Sequence, residues 1–182
     1  LKELFASPQD GTLELSIFAQ LVMALHFLNH DLGILHNNLL SKNIYLKKTP
    51  ELKGLYMTYM VEGIGIFLIQ NQGYMVVLGN FDNVKVVDEN MVMFRSKSQK
   101  FRLYSAFAQD NINAIKVFIG GDNHEPLKLT PTFELMLSNL GKDRFVKNKM
   151  VGASIVIDLI KLIYKARSLA MVKTVMFHAV SS

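Results

Sequence analysis

The chain has 182 residues, 50% hydrophobic and 19% charged, with a net charge of +5; this suits one ordinary domain or one large lobe with a real core, and excludes a disordered tail. Cysteine is absent, which excludes a disulfide framework, a Cys-ligated zinc site and thiol chemistry, and is compatible with a reducing intracellular setting. The Lys and Arg residues are scattered, so the positive charge only weakly favours an acidic partner and argues little for nucleic acid.

The first residue is Leu rather than Met, which suggests either a numbering that starts inside a longer polypeptide or an absent upstream part, and no secretory signal pattern opens the chain. Ser7-Pro8-Gln9-Asp10 is a helix-start signal, interrupted by Gly11. A stronger helix is predicted from about Leu13 to Asp31, where Phe18, Leu21, Val22, Leu25, Leu28 and Leu32 recur at helical spacing, and Gly33 ends it. A short strand, Asn43–Leu46, follows, then a polar stretch over Lys47–Gly54 and an extended segment rich in Tyr, Met and Val.

Gly63 to Phe81 carries no charged side chain, a length that by itself would suit a membrane span. Gln70-Asn71-Gln72-Gly73 breaks its centre, so it reads as two strands, Gly63–Ile69 and Tyr74–Leu78, joined as a hairpin. Asp82 to Arg102 reads as irregular, Phe107–Ile119 as a helix ended by Gly120-Gly121, and Asp122–Pro131 as loop. Phe133–Leu140 reads as a short helix ending at Gly141. Ser154–Val175 reads as a long apolar helix with Asp158, Lys161, Lys165 and Arg167 as its polar stripe. The fold class expected is α+β, mainly helical, with a small β-hairpin element.

The most informative stretch is Gly33-Ile34-Leu35-His36-Asn37-Asn38-Leu39-Leu40-Ser41-Lys42-Asn43, with Gly79-Asn80-Phe81-Asp82 further on. It resembles the protein-kinase catalytic loop, His-Arg-Asp-Leu-x-x-x-Asn, followed by Asp-Phe-Gly. His36, Leu39 and Asn43 keep their places, and the likeness is nearest to divergent kinases of large DNA viruses. It covers residues 1–120 and implies that 1–182 is a kinase-like C-terminal lobe. In the family the loop Asp orients the substrate hydroxyl and accepts its proton, while the loop Asn and the Asp of Asp-Phe-Gly hold Mg²⁺ on ATP. Those roles fall on Asn38, Asn43 and Asn80, with His36 as a loop brace.

Asn copies the shape of Asp without its charge, so it serves neither as a base nor as a strong ligand for a hard cation. Losing one acid–base group costs about 10²–10⁴ in rate, and here two carboxylate positions are amides. Leu40 stands where Ser/Thr kinases carry Lys, Asp82 replaces the motif's Gly and is a candidate displaced metal ligand, and no Ala-Pro-Glu follows. Asp110 matches the family's buried Asp that braces the loop; a helix N-terminal acid is the plain reading. A Gly-rich loop and a strand Lys are not found, and Gly63-Ile64-Gly65 is only a strand detail, so ATP and Mg²⁺ would need an N-lobe.

His26 and His30 have metal-ligand spacing but no third ligand, which favours packing. His124 and His178 stand alone. Arg95, Lys97, Lys100 and Arg102 with Phe94, Phe101 and Tyr104 suit a solvated or protein-docking segment better than a nucleic-acid track. The ten Met residues read as core filler, with Met75, Met91 and Met93 nearest the proposed cleft.

The resemblance thus implies an inactive or strongly impaired Ser/Thr kinase that acts as a binding or scaffolding module. Its partner would be a protein, its setting the cytoplasm or a virion, and it would have no membrane span. Two alternatives are an active kinase inactivated by isosteric substitution, and a nonenzymatic component of a large assembly.

Overall fold

Helix α1 (Gly11–His26) organises the molecule because it is apolar on nearly every side, and such a helix is stable only when surrounded. The computed structural model describes residues 1–7, 9–86, 109–120, 124–146, 155–167 and 173–180. Leu15, Ile17, Phe18, Ala19, Leu21, Val22 and Leu25 are all buried. Among the described residues one helical stretch, Gly11–Asp31, is long and apolar enough to cross a membrane, and 67% of its apolar window is buried inside the fold. It is the central core helix.

Asp10 Oδ1 accepts from Thr12 N at 3.0 Å, which satisfies one of the open N–H groups at the helix start. Gly11 is therefore the first helical residue and not an interruption. After His26 the chain widens into a π turn, Phe27–Asp31, closed by Leu32 N to Phe27 O at 3.0 Å. Gly33 ends it with φ 63°, as its freedom at positive φ predicts.

The fold is α+β, with about 48% helix and 24% strand, so it carries more strand than one hairpin. Strand β1 (Ile34–Leu35) pairs antiparallel with β6 (Lys85–Val86), and β2 (Ile44–Lys48) with β5 (Tyr74–Leu78). A third sheet runs β3 (Tyr56–Val61), β4 (Gly65–Gln70), β7 (Val175–Ala179). The predicted hairpin between the two halves of the uncharged run does not form: β4 and β5 belong to different sheets. The reason is Asn71, whose Oδ1 accepts from Gly73 N at 2.6 Å and whose Nδ2 donates to Tyr74 O at 3.1 Å. Its side chain acts as a local backbone and redirects the chain.

Buried polar groups on α1 tie these sheets down. Gln20 Nε2 donates to Tyr74 O at 3.1 Å and Gln20 Oε1 accepts from Val76 N at 3.0 Å, so one amide serves β5 as a neighbouring strand would. Ser16 Oγ donates to Gln70 O at 2.7 Å.

Helix α2 covers 109–119 and Gly120 follows with φ 83°; positions 107 and 108 of the predicted helix lie outside the described residues. Helix α3 (Pro131–Val146) runs straight through Gly141, which is buried. The about 1 kcal/mol that an internal Gly costs is offset by burial of Phe133, Met136, Leu137 and Leu140. Glu14 anchors its start by accepting from Thr130 N at 2.8 Å and Thr130 Oγ1 at 2.6 Å, while burial pushes the Glu14 carboxyl up.

Helix α4 covers Ile155–Arg167, and Val175 opens a strand instead of closing the predicted long helix. Val175, Met176 and Phe177 suit a pleated surface, and β4 supplies the pairing partner. Gly65, in the Gly-Ile-Gly detail, faces Ala179 in that register, where a Cβ would run into the His178 carbonyl. Asp158 is also not on a solvent stripe: it is fully buried, with Lys161 Nζ 3.6 Å from its Oδ1.

Edge-to-face aromatic contacts close the core. Phe118 meets Phe5, Phe18 and Phe133 at centroid distances of 6.1, 5.4 and 6.4 Å. Met91, Phe94, Arg95, Met93, Lys97, Lys100, Phe101, Arg102 and Tyr104 lie outside the described residues.

Candidate functional site

Residues 36–43 leave β1 as a loop and turn into β2 through a 3-10 turn, Ser41–Asn43, closed by Asn43 N to Leu40 O at 2.9 Å. That turn folds the buried Asn43 side chain back, and its Nδ2 donates to Asn38 O at 2.7 Å. The loop is thus latched across its own width.

Asp110, near the start of α2, latches it from outside. Its Oδ2 accepts from His36 N at 2.7 Å and its Oδ1 from Asn37 N at 3.0 Å. Asn29 Nδ2 adds a contact to Oδ2 at 3.4 Å and donates to Ile34 O at 2.8 Å. Asp110 is 1% exposed, and a buried carboxylate persists only with such donors around it. The plain reading of Asp110 as a helix N-terminal acid misses the two loop amides that it holds.

His36 is fully buried. Its Nδ1 accepts from Asn38 N at 3.3 Å, so the ring proton sits on Nε2, which donates to the Gly79 carbonyl at 3.1 Å. Phe81 covers the ring with centroids 5.1 Å apart. Gly79 N donates to Asn43 O at 3.0 Å, which fixes the end of β5 against the loop. Space above Gly79 is filled by the Tyr45 ring, at 2.5 Å from where a Cβ would sit.

Asn80 is exposed and left-handed, with φ 59°. Its Nδ2 donates to Asn43 Oδ1 at 3.3 Å. Hence His36, Asn38, Asn43, Asn80 and Asp110 form one connected cluster. Asp82 lies exposed in the turn that follows.

A divalent cation requires oxygen atoms turned toward it. Asn43 uses its amide nitrogen on Asn38 O and its oxygen on an Asn80 N–H, so at the pair expected to hold Mg²⁺ a donor faces an acceptor. Neutral amides arranged in that way do not fit the ion. Among the described residues no three His, Asp or Glu side chains gather as a metal group, and His26 with His30 forms a ring stack at 4.7 Å. Burial lowers both imidazoles, which suits packing. The cluster can hold a shape and exchange hydrogen bonds; Asn38 offers no carboxylate to take a proton.

Sequence reasoning missed Asn29 and Asn37. Asn37 adopts φ 55°, a conformation that Asn tolerates better than most residues, and its Nδ2 reaches Asn83 O at 3.1 Å. Compared with known protein families, characterised proteins and solved structures, the chain matches none.

Proposed function

We propose that the chain is the C-terminal lobe of a protein-kinase-like domain that has kept the loop architecture and given up phosphoryl transfer, acting as a protein-binding or scaffolding module. The observation that carries this reading is the Asp110 carboxylate, which takes the successive N–H groups of His36 and Asn37 from 74 and 73 residues away. A brace of that kind is what the resemblance implies for a buried Asp behind a catalytic loop. The His36 bond to Gly79 O and the Asn43 bond to Asn38 O support it.

The loss of transfer follows from the amides. Asn38 stands where the hydroxyl's proton would go, and Asn80 presents an N–H to Asn43 where a metal-facing oxygen belongs. No Mg²⁺-dependent step is assigned to this site, and ATP held with an N-lobe would meet amides there.

The test is a thermal-shift titration of the full-length protein with ATP, with and without Mg²⁺, beside the Asn38→Asp/Asn80→Asp double variant. The reading predicts no Mg²⁺-dependent rise in the wild type. Labelled-phosphate transfer by the double variant alone favours the alternative of an active kinase inactivated by isosteric change. Transfer by the wild type overturns the proposal.

A further inference from the structure

The C-terminal end of α1 borders a second concavity, and none of its lining residues belongs to the Asn-lined loop. It encloses about 370 Å³ between α1, β3 and β5, inside the about 300–1,000 Å³ typical of small-molecule sites. Gln20, Met23 and Val61 are its buried residues, Tyr59 and Met75 are half-buried, and Phe27 and Met60 are exposed at 52% and 79%.

Its chemistry is one-sided. Burial pushes the Tyr59 phenol up and the His26 imidazole down, so both stay neutral at pH 7. Among the described residues lining it, Asp31 alone carries a full charge. Three thioethers, a phenyl and a phenol ring line the same cavity with polarisable surface.

The backbone marks the same place. Phe27 and Asp31 are the two ends of the π turn, and both line the cavity. Single π turns recur at functional sites, because the irregular ladder is costly where nothing requires it.

We propose that this cavity binds a compact alkylated ammonium ion, with Asp31 as the counter-charge and Phe27 and Tyr59 as aromatic walls. Alkylated cations gain from aromatic faces and lose little hydration on burial. An anion meets the Asp31 carboxylate, and a neutral apolar molecule would desolvate that carboxylate without compensation. The lone negative charge selects the cation.

The test uses two isosteric probes, choline and 3,3-dimethyl-1-butanol, titrated into the chain by NMR. Choline is expected to saturate the shifts of residues around Met23, Phe27 and Tyr59, with the neutral alcohol roughly tenfold weaker. Asp31→Asn, at an exposed position, is expected to reduce choline to the alcohol's affinity and leave the alcohol unchanged. Tyr59→Leu keeps apolar bulk and is expected to weaken choline more than the alcohol. Equal affinity of the two probes, choline binding indifferent to Asp31→Asn, or no saturable binding of either overturns the proposal. So does binding of a trimethyl-lysine peptide without binding of free choline, which would make the cavity a protein-docking site.

Discussion

In the loop from His36 to Asn43 hydrogen bonds fix the backbone, with the Asp110 carboxylate holding His36 N and Asn37 N from outside, and the side chains of Asn38, Asn43 and Asn80 are neutral amides. In the cavity at the end of α1 the reverse holds: thioethers and rings leave about 370 Å³ open, and Asp31 adds a full charge. The first region has a rigid polar frame with amides at the positions expected to carry carboxylates, and the second has space and charge without such a frame. Shape and chemistry can therefore part company within one small fold, and an argument from either alone misreads the molecule.

The largest effect is expected when the loop's brace is cut. Asp110→Ala leaves the His36 and Asn37 N–H groups without their acceptor, at about 1–3 kcal/mol each, so chemical denaturation should show a loss of about 2–6 kcal/mol. A loss below about 0.5 kcal/mol, the size of an ordinary surface change, would show that the loop is held by other means.

Gln20 joins the cavity wall to β5, because it lines the cavity and bonds the edge of that strand. Gln20→Leu keeps the bulk and removes both hydrogen bonds, for an expected cost of about 1–3 kcal/mol. Amide exchange should speed up at Val76 first. Unchanged exchange there would separate the cavity wall from the strand.

A pH effect comes next. Burial lowers His26 and His30 from the ordinary value near 6.5, so the unfolded chain binds these protons more tightly. Their contribution is complete above about pH 6.5 and is lost as pH falls through the lowered folded values. Glu14, raised from 4.5 by burial, has the opposite sign and loses its contribution as pH rises through its folded value. Melting curves of the wild type and of His26→Gln/His30→Gln should converge in slope only above that histidine window. Parallel curves throughout would remove the histidines from the account.

The smallest effect belongs to the cavity rim. Met60, 79% exposed, should cost no more than about 0.5 kcal/mol as Met60→Ala, since an open rim has little packing to lose. A larger loss would mean that the rim is covered by further contacts.

Local signals explain what was legible beforehand. The α1 pattern, the stops at Gly33 and Gly120 and the strand after Asn43 each depend on a few neighbouring residues. The features that escaped depend on partners far along the chain. Gly65–Gln70 pairs with Val175–Ala179 and not with Tyr74–Leu78 because a buried Asn71 turns the backbone away. Gly141 stays helical because the face of α3 is packed, and Asp158 is buried despite its place on a polar stripe. For the loop, the spacing of His36, Asn38, Asn43 and Asn80 was readable, but Asn29 and Asn37 acquire their roles only once Asp110 arrives from α2. The cavity was invisible because its walls come from three separate stretches.

The proposed function requires a loop that keeps the frame of a phosphoryl-transfer site and lacks its metal-binding charge. Mn²⁺-induced broadening of backbone NMR signals tests this most directly, in the wild type and in Asn38→Asp/Asn80→Asp. Saturable broadening centred on Asn43 is expected in the double variant and none in the wild type, with both folds unchanged. Equal, saturable broadening at Asn43 and Asn80 in the wild type would contradict it.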